Sequence, residues 1–178
     1  MKRNVKITLC GIIAALSVVF MLFSYFPYLT YAIPAVTGLL TMMLVIEIGV
    51  KWAFGAYIAA SVLIFIFAEP ESKIMYICLF GYYPILKALI ERINKPVPEW
   101  VLKIAVFNAA VIAIYFLLSG IFGISFEDFE ALGKYGAYIF LAFGNIVFVI
   151  YDIAVSRLAG TYIYRIHPKV KRLLKSDG

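Results

Sequence analysis

The sequence predicts an all-α, polytopic membrane protein with six transmembrane helices and both termini on the cytoplasmic side. Three observations predict it. Of its 178 residues 65% are hydrophobic and 15% charged, where a soluble domain is about half apolar and a quarter charged; mean hydropathy is +0.99. Such an apolar fraction excludes disorder. The apolar residues also fall in blocks of roughly 17–25, the length that crosses a hydrocarbon core of about 30 Å at 1.5 Å per residue. Finally, the basic residues segregate to one side once those blocks are laid across a bilayer.

The first span covers residues 7–26 and ends at Pro27. Met1-Lys2-Arg3 ahead of it resembles the start of a secretory signal, but the apolar run is too long and no small-x-small cleavage site closes it. A retained helix is expected. The second span is residues 35–50 and the third 52–68, separated only by Glu47, Gly49 and Lys51. A single helix through both would be ~50 Å long, well beyond the membrane. The third stops at Glu69-Pro70-Glu71. The fourth, 74–90, contains Gly81 and Pro84, and Pro84 deprives the carbonyl near Phe80 of its donor. A kinked or unwound helix is expected there. Pro96 and Pro98 make 94–98 a loop, because each disfavours the α region in its predecessor. The fifth span is 101–122 and the sixth 135–158, with helix extending towards Tyr164. Residues 1–178 read as a single transmembrane domain.

With these six spans, fourteen of the sixteen Lys and Arg residues share a side, leaving only Lys73 and Lys134 opposite. The positive-inside rule makes that side cytoplasmic. Trp52 and Trp100 begin helices there, as headgroup-level anchors do. The net charge of +6 is therefore a topology signal, not a nucleic-acid footprint. The basic tail from Arg165 to Arg172 is suited to anionic lipid headgroups, at about 1 kcal/mol per residue. Between 123 and 134, Ser125-Phe126-Glu127-Asp128 followed by Phe129 and Leu132 predicts a short surface helix.

Polar groups at membrane depth are candidate sites by default. Asn108 and Asn145 fall near the middles of spans five and six, placed to bond each other or to offer amides to a ligand. Tyr76, Tyr82, Tyr83, Tyr115 and Tyr138 lie in the outer half or middle of spans four to six. Tyr83 and Tyr115 look too deep for an interfacial belt and require hydroxyl partners. A pocket walled by Tyr and Asn suits a flat, partly polar small molecule. Towards the cytoplasmic ends, Glu47/Lys51 and Lys87/Glu91 stand at i,i+4 and are expected to pair locally. Asp152 lies about a turn and a half from Arg157 or could instead meet Lys87, with snorkelling and local pairing expected rather than a proton relay.

Catalysis is not predicted. The chain has no H-E-x-x-H, G-x-S-x-G or Walker A motif. One histidine, His167, and two isolated cysteines, Cys10 and Cys78, suggest neither a metal site nor a disulfide framework, and no cofactor is expected.

The first span reads Lys6-Ile7-Thr8-Leu9-Cys10-Gly11-Ile12-Ile13-Ala14-Ala15-Leu16-Ser17, with small residues four apart at Gly11/Ala15 and Cys10/Ala14. That opening, the six spans and the short chain resemble the S components of energy-coupling factor transporters, membrane-embedded binders of vitamins and related micronutrients. The resemblance implies a partner interface at Gly11, Ala14 and Ala15, docking on a transmembrane coupling subunit that carries cytoplasmic ATPases. It implies a lid loop containing Tyr28 and Tyr31, and a solute held near the outer face by helices four to six. The site it implies would draw on Tyr76, Tyr83, Asn108, Tyr115, Tyr138 and Asn145. The sequence departs from the family in having few charged candidates in the outer region, so no vitamin is selected; the Tyr and Asn side chains themselves suit a small aromatic or heterocyclic solute. The expected function is substrate capture for ATP-driven uptake in a prokaryotic plasma membrane. The alternatives are a membrane scaffold or assembly subunit without a ligand, and a stand-alone secondary transporter.

Overall fold

A computed structural model describes residues 2–26, 28–121 and 136–170. Among them the regular structure is entirely helical. Helix α1 (Arg3–Leu22) runs into a 3-10 turn (Phe23–Tyr25), followed by α2 (Ala32–Ile48) and α3 (Val50–Phe67). The next stretch is broken into α4 (Pro70–Met75), a π turn (Tyr76–Phe80) and α5 (Tyr83–Ile90). Helices α6 (Pro96–Ile121) and α7 (Gly136–Arg165) complete the bundle; residues 125–132, where a surface helix is expected, lie outside the described residues. Five helical stretches are long and apolar enough to cross a membrane, counting 70–93 as one, and α2 is a shorter apolar helix. This is the architecture of a multi-pass helical membrane protein.

The boundaries follow local chemistry. Gly49 adopts φ +90, a left-handed value at which an L side chain is strained, and this separates α2 from α3. Pro34 falls in the first turn of α2, and Pro96 and Pro98 in the first turn of α6, so α6 begins five residues earlier than the expected span. The first-turn amides have no intrahelical acceptor, so proline loses nothing there. Asn94, at φ 52, reverses the chain just before it.

Contacts at the two ends show the helices alternating in direction. At one end Lys6 lies over the Trp52 ring, Lys103 meets Glu91, and His167 meets Glu47. At the other the Tyr25 hydroxyl donates to the Phe67 carbonyl (3.1 Å), and Ser72 Oγ donates to that of Thr30 (2.7 Å). The first is called the basic end below.

Helices α1 and α3 meet through small residues. Ala14, Ser17 and Met21 form the buried stripe of α1, and Ala53, Ala56, Ala60 and Ile64 that of α3. Small side chains let backbones approach where lipid supplies no hydrophobic drive. Helix α2 is the hub, touching α1, α3, α5, the π turn and α7. The rest of the core joins Leu79 and Tyr83 to Phe107, Ile114 and Phe148, with Phe107 and Phe148 stacked at 4.4 Å. Ile12, Leu16 and Val19 of α1, like Phe65 and Ile66 of α3, face outward, as on a lipid-facing surface.

Candidate functional site

The break between α4 and α5 builds the site. The Gly81 amide donates to the Tyr76 carbonyl five residues back (2.7 Å), the bond that defines the π turn. The carbonyl of Ile77, which an α-helix would have given to Gly81, instead receives the Tyr57 hydroxyl from α3 at 2.7 Å. Pro84 has no amide to offer Phe80, and the Phe80 carbonyl lies against Gly38 of α2. A Cβ at position 38 would collide with that oxygen, and one at 81 would lie 2.7 Å from the Tyr57 ring. Two glycines and a proline thus admit a departure from α-helical hydrogen bonding deep inside the bundle, where irregular backbone is tolerated because it faces protein.

Tyrosines surround this break. Tyr57 is 6.1 Å from Tyr76 and 6.2 Å from Tyr82 by ring centroids. On the other side Tyr151 packs edge-on to Phe80 at 5.1 Å and lies 5.9 Å from Tyr83. Tyr76 is fully buried, beside a cleft it shares with Ser17 and Thr41. The Ser17 hydroxyl is directed back to the Ile13 carbonyl (2.8 Å). Among the described residues the buried hydroxyls of Tyr76 and Tyr151 make no hydrogen bond of ordinary geometry, although the Ser17 and Thr41 hydroxyls lie beside that of Tyr76. A buried hydroxyl left unpaired costs about 1–3 kcal/mol.

Tyr83 connects the break to a buried ion cluster. Its hydroxyl donates to Asp152 Oδ1 at 2.6 Å. Lys87 pairs with the same oxygen, and Lys103 reaches Asp152 Oδ2 at 3.2 Å. Lys87 also meets Glu91 at 2.7 Å, while Lys103 meets Glu91 at 3.0 Å and Glu99 at 2.8 Å. Two ammonium groups therefore face three carboxylates. Lys87, Lys103 and Asp152 are 4%, 1% and 3% exposed, too enclosed for snorkelling. Lys87 and Asp152 meet as the sequence suggests, and Lys87 pairs with Glu91 along its helix. The roles of Lys103 and Glu99 are additional. Their signal was i,i+4 spacing at the start of an apolar run, with Trp100 beside Lys103 at 5.3 Å.

Glu47 does not pair with Lys51. The turn at Gly49 divides their helices, and Glu47 Oε1 instead accepts from the Tyr162 hydroxyl (2.9 Å) and lies 3.0 Å from His167 Nδ1. Of the sequence candidates, Tyr76 and Tyr83 are brought to the break. Asn108 and Asn145 form a reciprocal amide pair (3.1 and 3.0 Å) and each also donates to its own helix, at Ile104 and Leu141. Both amides are thereby engaged between helices. Tyr115 and Tyr138 lie on outward-facing surfaces of α6 and α7, apart from the break. Tyr57 and Tyr151 belong to the cluster although nothing in their spacing marks them out.

In the loop after α1, Tyr28 is almost wholly exposed at φ 70, and Tyr31 donates to Glu71 Oε2 at 3.0 Å. The loop is thereby tied to the start of α4. Gly11 and Ala15 lie on the exposed face of α1, whereas Ala14 is turned inward against α3. Among the described residues no group of three His, Cys, Asp or Glu side chains is placed to hold a metal. Compared with protein-family models, curated proteins and solved structures, the chain matches none.

Proposed function

We propose that this chain is the substrate-capturing membrane subunit of an ATP-driven uptake transporter, crossing a prokaryotic plasma membrane six times with the basic end in the cytoplasm. The solute is a small aromatic or heterocyclic molecule taken from the opposite face. The observation that carries the reading is the pair of buried, unpartnered hydroxyls, Tyr76 and Tyr151, flanking a broken helix. Such an arrangement stores polar capacity that a second conformation can use, with a solute bridging hydroxyls that are idle in this one. The loop bearing Tyr28 and Tyr31 stands as the lid, anchored by the Tyr31–Glu71 bond. The exposed Gly11/Ala15 stripe of α1 is the docking face for a transmembrane coupling subunit and its ATPases; Ala14 is excluded from it by packing. Segregation of the basic residues supports the orientation.

The test is solute retention by full-length protein extracted from its native membranes, followed by native mass spectrometry. Tyr76→Phe and Tyr151→Phe remove hydroxyls that make no hydrogen bond of ordinary geometry among the described residues, so each keeps thermal stability while weakening retention at least about tenfold, the equivalent of one good hydrogen bond. Retention unchanged in both variants, or no small molecule carried by the parent protein, rejects the reading.

A second reading, stand-alone secondary transport, draws on the enclosed Asp152 between Lys87 and Lys103, since intramembrane ionisable groups commonly form ion pathways. Proton-driven flux in liposomes containing this chain alone would favour it over the first.

A further inference from the structure

A groove opens on the side of the bundle between α3 and α5. Phe54 and Tyr57 of α3 face Tyr82, in the turn before α5, and Ile85, Leu86 and Leu89 of α5 across it, and Lys51 stands at its basic-end mouth. The two helices run in opposite directions, so the groove extends about 9 Å along α3 from Lys51 to Tyr57 at 1.5 Å per residue. Over half the ~15 Å depth of one leaflet is therefore matched by apolar wall beneath a single cation. The floor is dense, because Tyr57 is fixed by its bond to Ile77 at the inner limit of the groove.

Lys51 is exposed, and among the described residues it has no carboxylate partner. Glu47, one turn earlier in sequence, is engaged by Tyr162 and His167 on the far side of the Gly49 turn. Trp52, next in the chain, packs on the α1 side with Lys6 5.7 Å from its ring, so this end of the bundle carries the side chains that settle at headgroup level. Positive charge at the mouth and an apolar wall below complement one amphiphile in particular.

We propose that this groove is a binding site for an anionic phospholipid, its phosphate on Lys51 and an acyl chain lying against Phe54, Tyr57, Tyr82 and Leu86. The site is separate from the basic carboxyl-terminal tail and requires only that the chain span a membrane, so it stands apart from the solute-capture reading. A lipid here touches Tyr82 in the turn between the π segment and α5, which links lipid occupancy to the geometry of the break.

Full-length protein in nanodiscs of equal phosphatidylglycerol and phosphatidylcholine, released into detergent for native mass spectrometry, tests the site. Phosphatidylglycerol is expected to be retained in preference to phosphatidylcholine. Lys51→Gln lowers that retention about fivefold, as expected for one basic residue at an anionic surface, and Lys51→Arg preserves it. Arg157→Gln, the same charge change on an exposed part of α7, leaves it unaltered. Leu86→Trp fills the groove and abolishes retention with Lys51 intact. A photoactivatable phosphatidylglycerol should label peptides containing Tyr57 or Tyr82 in the parent protein, a readout independent of variant folding. Equal retention of the two lipids, loss with Arg157→Gln equal to that with Lys51→Gln, or cross-links from the groove to a second copy of the chain would overturn the proposal.

Discussion

The two halves of this bundle are held together by opposite means. Between α1, α2 and α3 the contacts are those of shape: Ala14 against Ala60 and Ile64, Ala53 and Ala56 beneath Leu44, and hydroxyls such as Ser17 and Thr37 turned back onto their own helices. Between α5, α6 and α7 they are those of charge and aromatic edge, with Asp152 of α7 shared by Lys87 of α5 and Lys103 of α6. Shape alone tolerates sliding between surfaces of similar relief. A carboxylate shared by two ammonium groups does not, because sliding any one helix breaks short, directional charge-assisted hydrogen bonds on the other two. The ion-paired half is thus the fixed frame, and the break at Tyr76–Phe80 lies where that frame meets the small-residue half.

The largest expected effect that could break this comparison is on the frame. Asp152→Asn takes from Lys87 and Lys103 the buried carboxylate they share, leaving them Glu91 and Glu99, and is expected to cost about 1.5–3 kcal/mol, the loss of a hydrogen bond to a charged group, read as a fall in melting temperature in detergent. Replacing Lys87 and Lys103 by Met together with Asp152→Leu should recover most of that loss. If Asp152→Asn melts like the parent, the frame is not ionic.

At the junction, Gly38→Ala drives a methyl group into the Phe80 carbonyl and is expected to cost about 1–3 kcal/mol through overpacking. Gly55→Ala, where nothing lies within 4 Å of the added carbon, is its matched control on α3. Equal effects at the two positions would remove the close approach of α2 to the break. The smallest effect belongs to the amide pair. A double-mutant cycle on Asn108→Leu and Asn145→Leu should give a coupling energy of about 0.6–1.7 kcal/mol, the range found for hydrogen bonds between membrane helices. A coupling several times larger would place the amides beside Asp152 as part of the frame.

Legibility differed between these regions for a physical reason. The Asp152–Lys87 meeting and the Asn108–Asn145 pair were readable because charged and amide groups at membrane depth have few ways of being satisfied. Lys103 was harder to read, since a lysine near a helix end ordinarily reaches for the interface; only its enclosure by Glu91, Glu99 and Asp152 removes that option. Glu47/Lys51 misled because i,i+4 pairing presumes an unbroken helix, and Gly49 breaks it. Tyr57 and Tyr151 carried no signal at all. Their roles depend on a carbonyl released by the π turn and, for Tyr151 of α7, on Gly38 in the distant α2.

The apolar blocks, the prolines and glycines between them and the one-sided distribution of basic residues were enough to determine that this is a helical membrane protein and roughly where its helices lie, although α6 starts five residues earlier and α7 ends seven residues later than the apolar blocks suggest. Those properties are local, because in lipid each segment must satisfy its own backbone before it meets any other. The site is not local. Which hydroxyl fills the Ile77 carbonyl, which hydroxyls remain unpartnered and which lysines share Asp152 depend on how close the helices come and at what rotation. That was decided by packing, in which the missing side chain of Gly38 lets α2 approach the Phe80 carbonyl.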